Sequence, residues 1–255
     1  MGSEVVRIYI GIGKVEFSIH KQLLLSAGHI FSEMFPPARK PTERVTLGKE
    51  DPHIFKLFVE YLYTKTVPRV HGGMNAQANT KRLRDLCQLY ALSDKFHLEF
   101  TICNKIMDTI QDGFVFLDKL PDISLVNAVY QNTPNGSKLR EFCISSLLYS
   151  MPSREDIDSH ILAGFLLDNR EALRDFLRAL KQLDVVGRDP RIRDCQGERG
   201  CIECAGDEER LKDKHGTWPC QYHIHSLSQT SHVKVERESP GSGVDVDEGC
   251  YLWGA

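Results

Sequence analysis

The chain has 255 residues, 41% of them hydrophobic and 26% charged, with a formal net charge of −3, a composition that suits a soluble globular protein with a core in one or two domains. It shows no run of about 18 apolar residues and no charged-then-apolar leader with a small-residue cleavage site, so no membrane partner and no secretory signal are expected, and the nucleus or cytoplasm is the expected location. From Arg188 onward nine Lys/Arg face thirteen Asp/Glu, a net of −4, against +1 for the preceding residues; a duplex-binding module normally carries a strong basic excess, which speaks against nucleic acid as a partner.

Val6, Ile8 and Ile10 alternate with Arg7 and Tyr9, and Val15, Phe17 and Ile19 alternate with Glu16 and Ser18, the period of two of half-buried strands. Between them Gly11 to Lys14, "GIGK", reads as a tight turn; it lacks the Walker spacing and no helix pattern follows it, so a hairpin is expected rather than a phosphate loop. After His20 the period changes. Leu23, Leu24 and Leu25 are followed by Ser26 as the expected N-cap of a helix with Ile30, Phe31, Met34 and Phe35 on one face, stopped by Pro36-Pro37. "RVTL" at 44–47 is a short strand. In "KEDPHIFKLFVEYLYTKTVP", Asp51 caps a helix with Pro52 at its first position and Phe55, Phe58, Val59 and Leu62 as its buried stripe.

His71 to Asn79, "HGGMNAQAN", is expected to be an exposed loop. Helices should follow at about Thr80 to Ser93 and Leu98 to Gln111, completing an α+β domain that ends near Gly113. Further amphipathic helices are expected at about Ile123 to Gln131, Ser137 to Ser150 and Asp156 to Leu183, the last broken near Asn169. Its stripe of Leu173, Phe176, Leu177 and Leu180 is read as a docking face within the protein.

The blocks "VRIYIG", "FSIHKQLLLSAGHIFSEMF", "RVTL", "FKLFVEYLYTKTVP" and "LRDLCQLYALSDKFHLE", in this order, resemble the BTB/POZ domain in its fungal form, over about Val5 to Gly113. "YQNTPNGSKLREFC" resembles the helical extension common in fungal BTB proteins. The resemblance implies an α+β fold, a small sheet flanked by helical hairpins over residues 1–115, then an all-α extension over 116–184. A Cys/His-rich segment over 185–232 and a flexible tail over 233–255 complete the expected organisation.

In that family the His-Lys pair closes the second strand and begins the first helix. The resemblance therefore implies that His20 packs and hydrogen-bonds, and that Lys21 approaches an acidic group at the start of strand one, here Glu4 where relatives usually carry Asp. Phe31, Phe35, Tyr61 and Tyr63 complete the structural signature. A catalytic His20 would need a nucleophile or carboxylate partner, and the neighbouring sequence supplies none.

The family's implied role is non-enzymatic protein binding: to another BTB chain, to a cullin scaffold and its ligase substrate, or to transcriptional partners. Many dimerising relatives exchange an extra strand and helix that precede strand one; this chain starts four residues before its first strand, so a strand-exchanged homodimer is not expected. Cullin-binding relatives often carry a hydrophobic-x-Glu element after the "MF" helix, and the nearest counterpart, Pro41-Thr42-Glu43, matches it poorly.

Eight cysteines in such a chain read as reduced thiols or metal ligands. Cys87, Cys103 and Cys143 lie in apolar segments, where small buried thiols are inert; Cys195, Cys201, Cys204, Cys220 and Cys250 crowd the tail. C-x-x-C at Cys201/Cys204 and C-x-x-H-x-H at Cys220, His223 and His225 are two half-sites about fifteen residues apart, and ligands two residues apart can curl around one tetrahedral zinc. One structural zinc per chain is expected, held by Cys201, Cys204, Cys220 and His223, with Cys195, His215 and His225 as competitors. The opposing reading is an acidic tail whose cysteines are incidental.

Two functions stand side by side. The first is a protein-protein interaction module, an adaptor or scaffold for a cullin-type ubiquitin ligase. The second is a transcription regulator whose Cys/His tail contacts DNA or chromatin partners, although the tail lacks the Cys-to-His spacing of a ββα finger.

Overall fold

The computed structural model describes residues 4–36, 44–151, 159–181, 189–193, 216–217 and 221–224. Strands β1 (Val5–Ile10) and β2 (Val15–His20) form the expected antiparallel hairpin, with Val5 opposite His20 and Ile10 opposite Val15. Strand β3 (Val45–Leu47) adds to the other side of β1 in parallel, giving the order β2-β1-β3. Alternation puts Ile8, Ile10 and Ile19 fully inside. Gly11 turns the hairpin at φ +72°, its amide donates to the Leu47 carbonyl, and a Cβ there would sit 3.0 Å from Pro52 Cγ. A side chain there would be strained by that conformation and crowded by that gap.

The helix expected behind Ser26 is instead two short ones, α1 (Lys21–Leu25) and α2 (His29–Met34). Ser26 closes the first rather than opening the second: its hydroxyl donates to the Leu23 carbonyl and its amide to Gln22. Such back-bonding is the local competition that makes serine a poor guide to cap direction. Phe31 is wholly buried and stacks on Phe58 at 5.8 Å, and Phe35 ends α2 inside the core.

Helix α3 (Pro52–Thr64) starts as expected, with the Asp51 side chain accepting from the His53 amide and Pro at the first turn. Its buried face comprises Ile54, Phe55, Leu57, Phe58, Tyr61 and Leu62. Helix α4 (Ala76–Lys95) begins inside the segment expected to be a loop. Asn75 caps it by accepting from the Ala78 amide, and Asn79, 3% exposed, donates to the His71 and Met74 carbonyls. A buried amide thus organises a stretch that has no apolar period.

Helix α5 (Phe100–Phe116) runs past Gln111. Gly113, expected near a domain end, lies within it at a close crossing with α4, where a Cβ would stand 2.5 Å from Leu83 Cδ2. Helices α6 (Ile123–Asn132), α7 (Lys138–Ser150), α8 (Ser159–Asp168) and α9 (Arg170–Lys181) follow, with Asn169 breaking the last pair and accepting from the Ala172 amide.

One buried cation ties these helices together. Arg140 on α7 is 4% exposed; it donates to the Tyr130 carbonyl, the Thr133 carbonyl and hydroxyl, Asn135 and Glu171, and its guanidinium lies 4.6 Å from the Tyr130 ring centre. Every arm of the fork meets an acceptor, the condition under which a buried guanidinium is tolerated.

The α9 stripe docks along only one edge. Ala172 and Phe176 are buried, whereas Leu177 and Leu180 are 50% and 37% exposed, so the expected inner docking face is half outward. Finally β4 (Asp189–Arg193) and β5 (Gly216–Thr217) pair in parallel. No described helix is long and apolar enough to cross a membrane.

Candidate functional site

The strand-to-helix junction is a hydrogen-bonded joint. The His20 amide donates to the Tyr63 hydroxyl oxygen at 3.2 Å, and that oxygen lies 2.8 Å from His20 Nδ1. The Tyr63 hydroxyl can donate to Nδ1 or accept from it, so either neutral tautomer of His20 completes the pair. Lys21 Nζ meets Glu4 Oε1 at 3.0 Å, and the Lys21 amide donates to the Glu4 carbonyl at 2.9 Å. Glu4 therefore makes the contact with Lys21 expected of an acidic group at the start of β1. His20 thus contacts the Tyr63 phenol through both its backbone amide and its ring.

This joint carries an exposed patch. Val5, opposite His20 across the hairpin, is 50% exposed, and Tyr63, whose ring meets His20 edge-on at 5.7 Å, is 41% exposed. Tyr61, Phe31 and Phe35 are buried, and burial raises the Tyr61 phenol above its ordinary value. Of the six signature residues, three are core and His20, Lys21 and Tyr63 form the surface joint. A groove of about 540 Å³ between α6 and α8 is lined by Ile123, Asn127, Gln131, Ile161, Phe165 and Asp168. Amides and apolar groups with a single carboxylate suit binding rather than acid–base chemistry.

Two segments of the Cys/His-rich region lie on α5. Gln111 donates to the Pro190 carbonyl at 2.8 Å; Arg193 pairs with Asp108 and Asp112; His223 Nε2 is 2.8 Å from Asp108 Oδ1. Asn104 bonds both the amide and carbonyl of Ile224, and Tyr222, 1% exposed, meets Phe142 edge-on at 5.5 Å. Asn104, Asp108, Gln111 and Asp112 recur at helical spacing, so α5 presents one polar stripe to these segments. Arg193 and His223 hold the Asp108 carboxyl below the usual range although burial alone would raise it. Arg191 is likewise held by Asp189 and reaches Asp118 at 3.3 Å.

Of the expected zinc ligands, His223 is the one placed here; Cys201, Cys204 and Cys220, and the competitors Cys195, His215 and His225, lie outside the described residues. Among the described residues no group of three or more His, Cys, Asp or Glu could hold a metal. Cys87, Cys103 and Cys143 are buried, and burial pushes the Cys87 and Cys103 thiols up to about 12, which keeps them protonated and unreactive. Sequence reasoning missed the α5 stripe because its partners are polar and more than seventy residues away; four acidic and amide side chains at helical spacing were the available signal.

The family model of the BTB/POZ domain matches residues 4–109. BTB/POZ and MATH domain-containing protein 3 of Arabidopsis thaliana is 27% identical over 104 residues, covering 37% of this chain and 26% of that protein; the similarity thus spans about a quarter of the relative's length. Together with the three-stranded sheet and the helices packed on it, these matches identify residues 4–109 as a BTB/POZ domain. Such domains are non-enzymatic protein-protein interaction modules.

Proposed function

We propose that the chain is an adaptor or scaffold that joins a partner protein to a cullin-type ubiquitin ligase, with the BTB/POZ domain as the scaffold-binding part. The observation that carries this reading is the joining of that domain to a packed helical extension through α4, α6 and α7, with Ser137 at the start of α7 bonded to Asp94 on α4. Packing of this kind would fix a substrate bound to the extension relative to a scaffold bound to the domain. Purified full-length chain, titrated with a cullin N-terminal domain by calorimetry, should bind with micromolar affinity or better, and substitution of Val5 and Tyr63 by aspartate tests whether the joint patch contributes. Absence of heat with any cullin paralogue would remove the ligase reading and leave a protein-binding module with another partner.

The same reading includes one structural zinc on Cys201, Cys204, Cys220 and His223. Its support is the Asp108–His223 bond, since a carboxylate on one imidazole nitrogen is the usual orienting partner of a metal-binding histidine. Zinc would staple a segment with few apolar residues. The DNA-binding alternative is disfavoured by Arg191 and Arg193: both described arginines of the tail are engaged by carboxylates of this chain and present little charge to phosphate.

A further inference from the structure

We propose that the outward ridge of α9, Leu173, Leu177 and Leu180 bordered by Arg170, Arg174 and Lys181, is a docking surface for an acidic amphipathic segment of another protein. The argument begins with the helix's own periodicity. At 100° per residue the apolar positions Ala179, Ala172, Phe176, Leu180, Leu173 and Leu177 form one continuous arc of about 160°. The first three lie against the core, with Ala172 and Phe176 buried. The rest of the arc turns away from it, leaving Leu177 half exposed and Leu180 more than a third exposed. An apolar arc wider than its docking seam has material for a second contact.

The charges around the helix are sorted by side. Glu171 accepts from Arg140 at 2.6 Å, and Asp175 accepts from the Tyr130 hydroxyl at 3.1 Å, so the helix's acidic residues bind inward. Arg178 lies 3.6 Å from Asp175 on that same side. The cations that border the leucine ridge, Arg170, Arg174 and Lys181, are all exposed. A surface of leucines edged by cations complements a helix that places leucine or aromatic anchors between Asp and Glu, the helix-in-groove mode with charges setting orientation. An anionic membrane would match the charge but not the geometry: α9 is fixed by Phe176 and the Arg140–Glu171 pair, and three leucines on an immobile helix bury too little for stable interfacial binding.

This proposal is independent of the cullin reading, and its experiment uses neither cullin nor zinc. A fluorescein-labelled peptide with leucines at three- and four-residue spacing separated by Asp and Glu is titrated with the full chain, and anisotropy is read. Saturable binding is expected, falling at least about tenfold for Leu177→Glu/Leu180→Glu and for Arg174→Glu/Lys181→Glu, and weakening with salt and with an Asn/Gln version of the peptide. Because all four side chains are exposed, melting curves should match the parent; if the leucine variant is destabilised, the charge variant decides alone. No saturation up to about 1 mM, or equal binding by the charge variant, overturns the proposal. Vesicles of phosphatidylcholine and phosphatidylserine at about 3:1 are titrated in parallel. Vesicle binding without peptide binding assigns the ridge to a membrane and overturns it as well.

Discussion

Asn104 and Ile224, 120 residues apart, exchange two hydrogen bonds: the side-chain amide donates to the Ile224 carbonyl at 3.0 Å and accepts from the Ile224 amide at 2.8 Å. One side chain thereby satisfies both backbone polar groups of one residue, as a neighbouring strand would. Asn104→Asp keeps the acceptor and loses the donor, and Asn104→Ala loses both. The expected cost is roughly 1 kcal/mol for the first and 1–3 kcal/mol for the second. Urea unfolding measures the loss, and limited proteolysis should show faster cleavage beyond Lys181 in both variants. Unchanged cleavage would mean that the contact does not hold the segment on α5.

Arg140 offers a sharper test of the extension. Replacing it with Met leaves the Tyr130 and Thr133 carbonyls and the Thr133 hydroxyl without their buried donor, for an expected loss of roughly 2–4 kcal/mol. Lysine should not restore it, because a single ammonium cannot reproduce a planar fork that reaches residues on α6, the α6–α7 connection and α9. Denaturant midpoints of the Met and Lys variants within about 0.5 kcal/mol of the parent would contradict this role.

Asp94 should make stability depend on pH in the less usual direction. Burial raises its carboxyl above the ordinary value, against the opposing Ser137 hydrogen bond and the charges of His97 and Arg140. The folded state therefore holds this proton more tightly than the unfolded state. Its contribution to stability falls as pH rises from the ordinary carboxylate range through the raised value. Asp94→Asn, which can still accept from Ser137, should be as stable as the parent or more so near neutrality, with a flatter stability profile above the ordinary carboxylate range. Identical profiles would show that Asp94 is not the group responsible.

Thiol counting addresses the zinc. Cys87, Cys103 and Cys143 are buried, so native protein should leave these three unlabelled by a thiol reagent that reads all eight cysteines after denaturation. With zinc bound, Cys201, Cys204 and Cys220 should also react slowly until a chelator is added, and Cys201→Ser/Cys204→Ser should lose the metal. Five rapidly reacting thiols without chelator would dispose of the metal site.

The parts legible in the sequence are those specified by neighbours along the chain. Alternation at Ile8, Ile10 and Ile19 located the hairpin, and Asp51-Pro52 located the start of α3 because cap and first turn are adjacent. The start of α4 was hidden because Asn75 and Asn79 work through specific hydrogen bonds that leave no apolar period. Ser26 misled because the same hydroxyl can close one helix or open another, and only the position of Leu23 decides. At the joint, the family resemblance supplied His20 and Lys21 and their structural roles. The mutual bond of His20 with Tyr63 needed coordinates, since the two residues come from different elements 43 positions apart. The α5 stripe was illegible for the same reason, over a longer separation.

That separation also sets an order of events during synthesis. Helix α5 emerges from the ribosome well before residues 221–224, and the contact between them closes a long stretch of chain. Until then Asn104 and Asp108 face water without these partners. The nascent chain therefore passes through a stage in which α5 has emerged without residues 221–224 and Asn104 is open to chaperones, a window that shuts once those residues arrive.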